Sequence, residues 1–373
     1  VDRDHEDTGA PSGFKRRLCR ATAAAAGCVL ALFALELGYR GLASLGLLSQ
    51  AWAPGHERVE AFREHVGTGL RGMFTPKAFV GYTLQGEGIN SHGFADKEWG
   101  LEKPKGVLRV ACLGGSTTQD GVKAERDGTY PIFLSRILGR RLKREVEVMN
   151  FGVNGWTSAE SLVNYSILVS RFDPDLVVIH HAVNDVWPRL YPGYRADYSH
   201  YRVQWRDVEL SGLDATLISW SDLWAASRLQ DPALVGIRER VIRRVDGTPV
   251  QFEEELSPET LTGYRENLIR LCRLVRSDGA TPLLMTMPYS AKAGGMPERW
   301  LETMGDGTAD NNAVMEEVSV SEGVVLADAA ALFQSDPAEY DKLFADYVHM
   351  RPPGNRAKAL LIADEVQAAK LFR

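Results

Sequence analysis

The stretch Val107-Leu-Arg-Val-Ala-Cys-Leu113-Gly-Gly-Ser116-Thr-Thr118 decides how the chain is read. Its first seven residues are apolar and β-favouring except for Arg109, the pattern of a strand buried on both faces. Two glycines then let the backbone turn sharply, leaving the Ser116 hydroxyl at the strand's carboxyl end. Working outward, further strands are predicted at 145–149, 175–181, 281–287 and 323–327. Helical patterns fall near 129–143, 158–170, 258–277, 309–319 and 354–371. Strands alternating with helices predict an α/β fold, a parallel sheet covered by helices on both faces. Ligands of such sheets bind beyond the carboxyl ends of the strands, which is where Ser116 falls.

More than two hundred residues further on, Asp346-Tyr-Val-His349 sets a carboxylate three residues before an imidazole, ahead of Pro352-Pro-Gly354 and a helical pattern. A serine is a poor nucleophile at neutral pH unless a base takes its proton, and the base works best when an acid orients it. Ser116, Asp346 and His349 supply those three parts, so the chain reads as a serine esterase. Ester cleavage also needs fixed N–H donors for the charge that builds on the carbonyl oxygen. The second strand runs into Asn150-Phe-Gly152-Val-Asn-Gly155 and the third into Ala182-Val-Asn184-Asp185. Main-chain N–H groups near those glycines and the Asn184 amide are the candidates. The G-x-S-x-G nucleophile turn is a poor match, because Thr118 holds its last glycine position.

These blocks, in this order, resemble those of the SGNH, or GDSL-type, hydrolases. Gly114-Gly-Ser116-Thr-Thr118 matches the first, with Gly in place of the Asp before the serine. Asn150–Gly155 matches the second, Val183-Asn184-Asp185 the third and Asp346-Tyr-Val-His349 the last. Ala182 stands where a Gly often precedes the third-block Asn by two positions. The resemblance covers about residues 107–372. It implies a three-layer α/β/α sandwich with a five-stranded parallel sheet, flavodoxin-like, and ester hydrolysis without metal or cofactor. By it Ser116 is the nucleophile, His349 the general base and then acid, and Asp346 its orienting partner. The oxyanion hole is expected from the Ser116 and Gly152 main-chain N–H groups and the Asn184 side chain. A sugar hydroxyl resolving the same acyl-serine would instead make an O-acyltransferase. A non-catalytic glycan-binding or assembly module is the third alternative.

At the amino terminus, Lys15, Arg16, Arg17 and Arg20 precede an uncharged run from Ala21 to Leu35. With Glu36 reaching the interface, residues 21–43 are expected to form a transmembrane signal anchor behind a cytoplasmic tail at 1–20. Positive charge on the amino side predicts an extracytoplasmic catalytic domain on a bacterial cytoplasmic membrane, with a cleaved signal peptide as the alternative. Residues 44–105 read as a stalk and lead-in, and 106–373 as the hydrolase domain. An aromatic-rich insertion at about 187–256 is expected either to wall the site or to pack on itself.

The net charge of −6 is mild, which excludes nucleic acid as an expected partner. The expected partners are an acylated small molecule or glycan and the membrane. Cysteines at 19, 28, 112 and 272 have no metal-site spacing. His180 and His181, adjacent on a strand, face opposite ways and do not share a metal.

Overall fold

A computed structural model describes residues 12–48, 59, 63, 73–120, 128–202, 212–229, 252–253, 255–294, 298–335 and 340–372. Residues 1–11, most of 49–72 and the insertion's 203–211 and 230–251, including Trp205, lie outside the described residues. The chain forms two compact units: 1–72 with 207–237, and 73–206 with 238–373. The larger unit therefore begins at Met73, well before the expected boundary at 106.

Along the chain the strands are β1 (Phe74–Lys77), β2 (Gly81–Leu84), β3 (Leu108–Gly114), β4 (Val146–Gly152), β5 (Leu176–His180), β6 (Thr281–Met285) and β7 (Val325–Ala327). The α-helices that matter below are α1 (Ser12–Ser44), α2 (Ser116–Gln119), α3 (Tyr130–Leu142), α4 (Ser158–Ile167), α5 (Val186–Leu190), α6 (Gly212–Trp220), α7 (Asp222–Arg228), α8 (Thr262–Ser277), α9 (Glu298–Glu322), α10 (Ala329–Gln334) and α11 (Pro352–Ala368).

In the larger unit, β3 to β7 form one parallel sheet in the order β4-β3-β5-β6-β7. Counting only these five, the order is 2-1-3-4-5, whose switch point lies beside β3, where an open α/β sheet takes its ligands. Every residue of β3 is buried. Val110 and Cys112 point into a core built with Tyr130, Leu134 and Leu138 of α3, Phe333 of α10 and Ile362 and Val366 of α11. The spacing of 130, 134 and 138 is one helical face; removing a side chain such as Leu134 to Ala would cost about 2–5 kcal/mol. On α8, buried Tyr264, Leu268, Leu271, Cys272 and Val275 repeat the same period. Arg109 is the apparent misfit of the strand. It is buried yet fully engaged, with Glu147 at 2.7 Å and the carbonyls of Leu101, Phe172 and Glu102 at 3.0, 2.8 and 3.2 Å. A buried guanidinium is tolerable on those terms and not otherwise.

The β1–β2 hairpin was not expected; Pro76 and two short strands hide it from a pattern of alternation. Helix α9 starts eleven residues before the predicted 309. Gly305 and Gly307 lower its helical propensity by about 1 kcal/mol each, but tertiary packing prevails. A Cβ on Gly307 would lie 2.5 Å from a Val186 methyl.

In the smaller unit, Arg20–Ser44 of α1 is a 25-residue segment containing an 18-residue window of mean hydropathy 1.8, and among the described residues it alone is long and apolar enough to cross a membrane. Its length of about 37 Å exceeds the roughly 30 Å hydrocarbon core. Glu36 is not the free interfacial side chain expected of it. It is 7% exposed and accepts hydrogen bonds from Ser221 and from main-chain N–H groups of α7.

Candidate active site

Gly114 at the end of β3 pairs with Gly152 of β4 on one side and His180 of β5 on the other. Three loops therefore leave the sheet at the same level. The first is the Gly115-Ser116 turn, which runs directly into α2 with Ser116, half-buried, as its first residue. The main-chain N–H groups at a helix start have no partner within the helix. The third loop, a 3-10 turn at Val183–Asp185, carries Asn184. Its Nδ2 donates to the Trp156 carbonyl at 2.9 Å. A Cβ on Gly115 would sit 2.4 Å from that Nδ2 and 3.2 Å from that carbonyl, so only glycine lets the segments come this close.

The second loop departs from the sequence reading. The Gly152 N–H, expected as an oxyanion donor, is already spent on Asn150 Oδ1 at 3.0 Å. Gly152 is also wedged against the backbone of α2, its would-be Cβ 2.3 Å from the Gln119 nitrogen. Its role is to let β4 and α2 touch. Three residues on, Gly155 has φ +79°, and its N–H meets no acceptor among the described residues. Around it the loop is held on every side. Asn154 N donates to Gln119 Oε1 at 2.8 Å, Tyr82 Oη to the Asn154 carbonyl at 3.1 Å and Arg202 to the Gly155 carbonyl at 2.7 Å. Arg202 in turn pairs with Glu160 at 2.6 Å, and Glu160 closes a capping box with Thr157 at the start of α4. Burial pushes the Glu160 carboxyl up, but Arg202 outweighs it and the group lies below its ordinary value.

Asp346 and His349 share a tight loop before α11. Asp346 Oδ1 accepts the Val348 and His349 N–H groups at 3.0 and 2.8 Å, and His349 Nδ1 lies 2.9 and 2.8 Å from the two carboxylate oxygens. Burial raises the Asp346 carboxyl, yet the imidazole and those N–H groups hold it down at about 2. An ionised carboxylate can only accept, so Nδ1 carries the hydrogen and Nε2 presents its lone pair. Nε2 meets no partner among the described residues. Helix α11 ties this loop to the serine's helix. Asn355 Nδ2 donates to Asp120 Oδ2 at 2.8 Å and Lys358 Nζ to the Thr117 carbonyl at 3.3 Å. Burial draws the Lys358 ammonium down to about 8, with Asp120 opposing.

The sequence reading missed Asn150, Gln119, Tyr82, Arg202 and Lys358 as supports. Only Asn150 stood inside a recognised block; the others lie in segments whose meeting no local pattern announces. Asp185, the last residue of the third block, reaches beyond its own turn. It accepts the Ser158 N–H and hydroxyl, at 3.1 and 2.6 Å, and the Tyr198 hydroxyl at 3.1 Å, so it ties the Asn184 loop to α4. Of the insertion's rings, Tyr191, Tyr198 and Tyr201 are buried in the larger unit, and Trp187 lies tilted against Phe252 and Trp300. His180 and His181 are both buried and bonded, to the Met285 carbonyl and to Ser161. No cluster of side chains suited to a metal ion occurs among the described residues.

The profile of the GDSL-like lipase/acylhydrolase family matches residues 112–357. No curated protein matches the chain significantly. Similar solved structures include a lipase/acylhydrolase from Enterococcus faecalis at 17% identity and TM-score 0.43, covering 70% of this chain and 96% of that one. An acetylxylan esterase from Geobacillus stearothermophilus matches at 18% identity and TM-score 0.42, covering 69% and 94%. A GDSL-like lipase from Bacteroides thetaiotaomicron matches at 15% identity and TM-score 0.40, covering 70% and 88%.

Proposed function

This chain belongs to the GDSL-like lipase/acylhydrolase family and is an ester hydrolase; from that footing we propose that Ser116, His349 and Asp346 cleave short acyl esters, acetyl most simply, on glycans outside the cytoplasmic membrane. The observation that carries the reading is the Asp346–His349 pair, which fixes the imidazole through Nδ1 and leaves Nε2 open. His349 Nε2 takes the proton as Ser116 Oγ bonds to the ester carbon, then returns it to the departing alcohol oxygen as the C–O bond breaks. Water, deprotonated by the same nitrogen, attacks the acyl-serine; the acyl–Oγ bond breaks, Ser116 Oγ takes the proton back from His349 and the acid leaves.

Charge on the carbonyl oxygen is met by the Ser116 N–H, the Asn184 amide and, in place of Gly152, the Gly155 N–H. The Gly155 N–H, without an acceptor among the described residues, and the hydrogen bond from Asn184 to the following Trp156 carbonyl support this choice. The glycan assignment rests on location. Basic residues ahead of an apolar helix long enough to span a bilayer support a signal anchor with the hydrolase outside. A fluorophosphonate probe should label Ser116 and abolish cleavage of p-nitrophenyl acetate, and acetylated glycans should release acetate. Equal labelling of Ser116→Ala would overturn the assignment.

A further inference from the structure

Glu36 is the only acidic residue between Arg20 and Ser44, and the structure has given it a specific task. Its Oε2 accepts the Ser221 hydroxyl at 2.7 Å and the Leu223 N–H at 3.2 Å; its Oε1 accepts the Asp222 N–H at 2.8 Å and Arg40 Nε at 2.7 Å. Arg40 reaches on to Asp222 at 3.2 Å, and Arg63 bonds both Asp222, at 2.7 Å, and the Ile218 carbonyl, at 2.9 Å. The apolar helix is thereby clasped to the start of α7, some 185 residues away in sequence. Helices α6 and α7 are themselves stapled together, with Asp214 accepting Trp224 Nε1 at 2.7 Å and pairing with Arg228.

The stapling leaves one face of α6 apolar and uncovered. Leu213, Leu217 and Trp220 stand at i, i+4 and i+7, a single helical stripe. Leu213 is 70% and Trp220 41% exposed and Leu217 is half-buried, whereas Asp214 and Ile218, about 100° round the helix from Leu213 and Leu217, are buried. On α1, Leu35 and Leu37, flanking the clasp, are also exposed.

We propose that α6 and α7 form a collar lying in the bilayer interface around the outer end of α1, with phospholipid as the partner of the Leu213–Leu217–Trp220 face. The proposal rests on the reading of α1 as an anchor. Two observations favour lipid as the occupant. The stripe belongs to the same folded unit as a helix able to span a bilayer, and its largest member is a tryptophan, a residue suited to the headgroup boundary. The clasp also removes the difficulty of a carboxylate in an apolar helix, because four donors replace the water it would lose.

Nitroxide labels on the full chain test this, with Cys19 and Cys28 replaced by alanine and the protein reconstituted in phosphatidylglycerol–phosphatidylcholine vesicles. Labels at Leu213→Cys and Trp220→Cys should lose collisions with a water-soluble nickel chelate and gain collisions with oxygen, while one at the exposed Ser219→Cys, off the stripe, keeps its aqueous collisions. Glu36→Ala should return the first two labels to water without changing kcat. A label at Leu30→Cys separates the failures. If it lies in lipid while 213 and 220 remain in water, the collar is wrong and the anchor stands. If Leu30 is itself in water, the anchor reading falls and the collar with it.

Discussion

Ser161, His181 and Asp185 repeat in the larger unit the same three side chains as Ser116, His349 and Asp346, with opposite consequences. In the first trio Ser161 Oγ lies 2.8 Å from His181 Nε2, and His181 Nδ1 lies 3.8 Å from Asp185. All three are buried. Burial draws the His181 imidazole down to about 4 despite Glu160, and pushes the Asp185 carboxyl up to about 7 against its hydrogen bonds to Ser158 and Tyr198. Both groups are driven toward their neutral forms, and the trio joins β5 to α4. In the second trio the histidine and aspartate side chains are 26% and 27% exposed and 2.8 Å apart, and the aspartate stays ionised to about pH 2. The residue types are identical; burial and the Ser161–His181 bond make the first trio a brace, while partial exposure and a close ionised carboxylate leave the second histidine oriented with Nε2 without a partner among the described residues.

The contrast is broken most directly at its serines. Ser116→Ala should lower kcat by about 10⁶, the scale of a lost nucleophile, and a loss under tenfold in a folded protein would refute the assignment. Next, Asp346→Asn should cost about 10⁴ in kcat, since the amide no longer selects the productive imidazole tautomer. The comparison would fail if Asp185→Asn cost as much. Asn184→Ala should lower kcat roughly 10²–10³-fold with little change in KM; a normal kcat would move the oxyanion hole elsewhere.

A smaller effect tests the brace. Asp185 has a folded pKa above its unfolded value, so the stability it contributes is complete below about pH 4 and is lost as pH rises through about 7. The stability of the wild type relative to Asp185→Asn, read from urea midpoints, should therefore shrink between pH 4 and 7. A constant difference would show that Asp185 is already ionised in the fold. The smallest effect belongs to Ser161→Ala, which should leave kcat unchanged; a large loss there would remove the distinction between the two trios.

Much of this was legible beforehand because it is local. The five sheet strands, the Ser116 turn and the Asp346–His349 spacing each announce themselves within a dozen residues. The hairpin at 74–84 and the first turns of α9 did not, since Pro76, Gly305 and Gly307 weaken the local signal that packing later overrides. Gly152 and Gly155 show the limit most clearly. Both are glycines of one block, and nothing in their sequence says which N–H is free; that depends on Asn150 turning its amide oxygen onto one of them.

Sequence by itself determined the alternating α/β order, the residue types of the catalytic blocks and the apolar character of the first helix, because periodicity and side-chain chemistry are properties of short segments. Tertiary structure decided which histidine is open, which glycine has an N–H to offer and what Glu36 is for. Each of those depends on partners brought from distant segments, and on whether water still reaches the group once they have arrived.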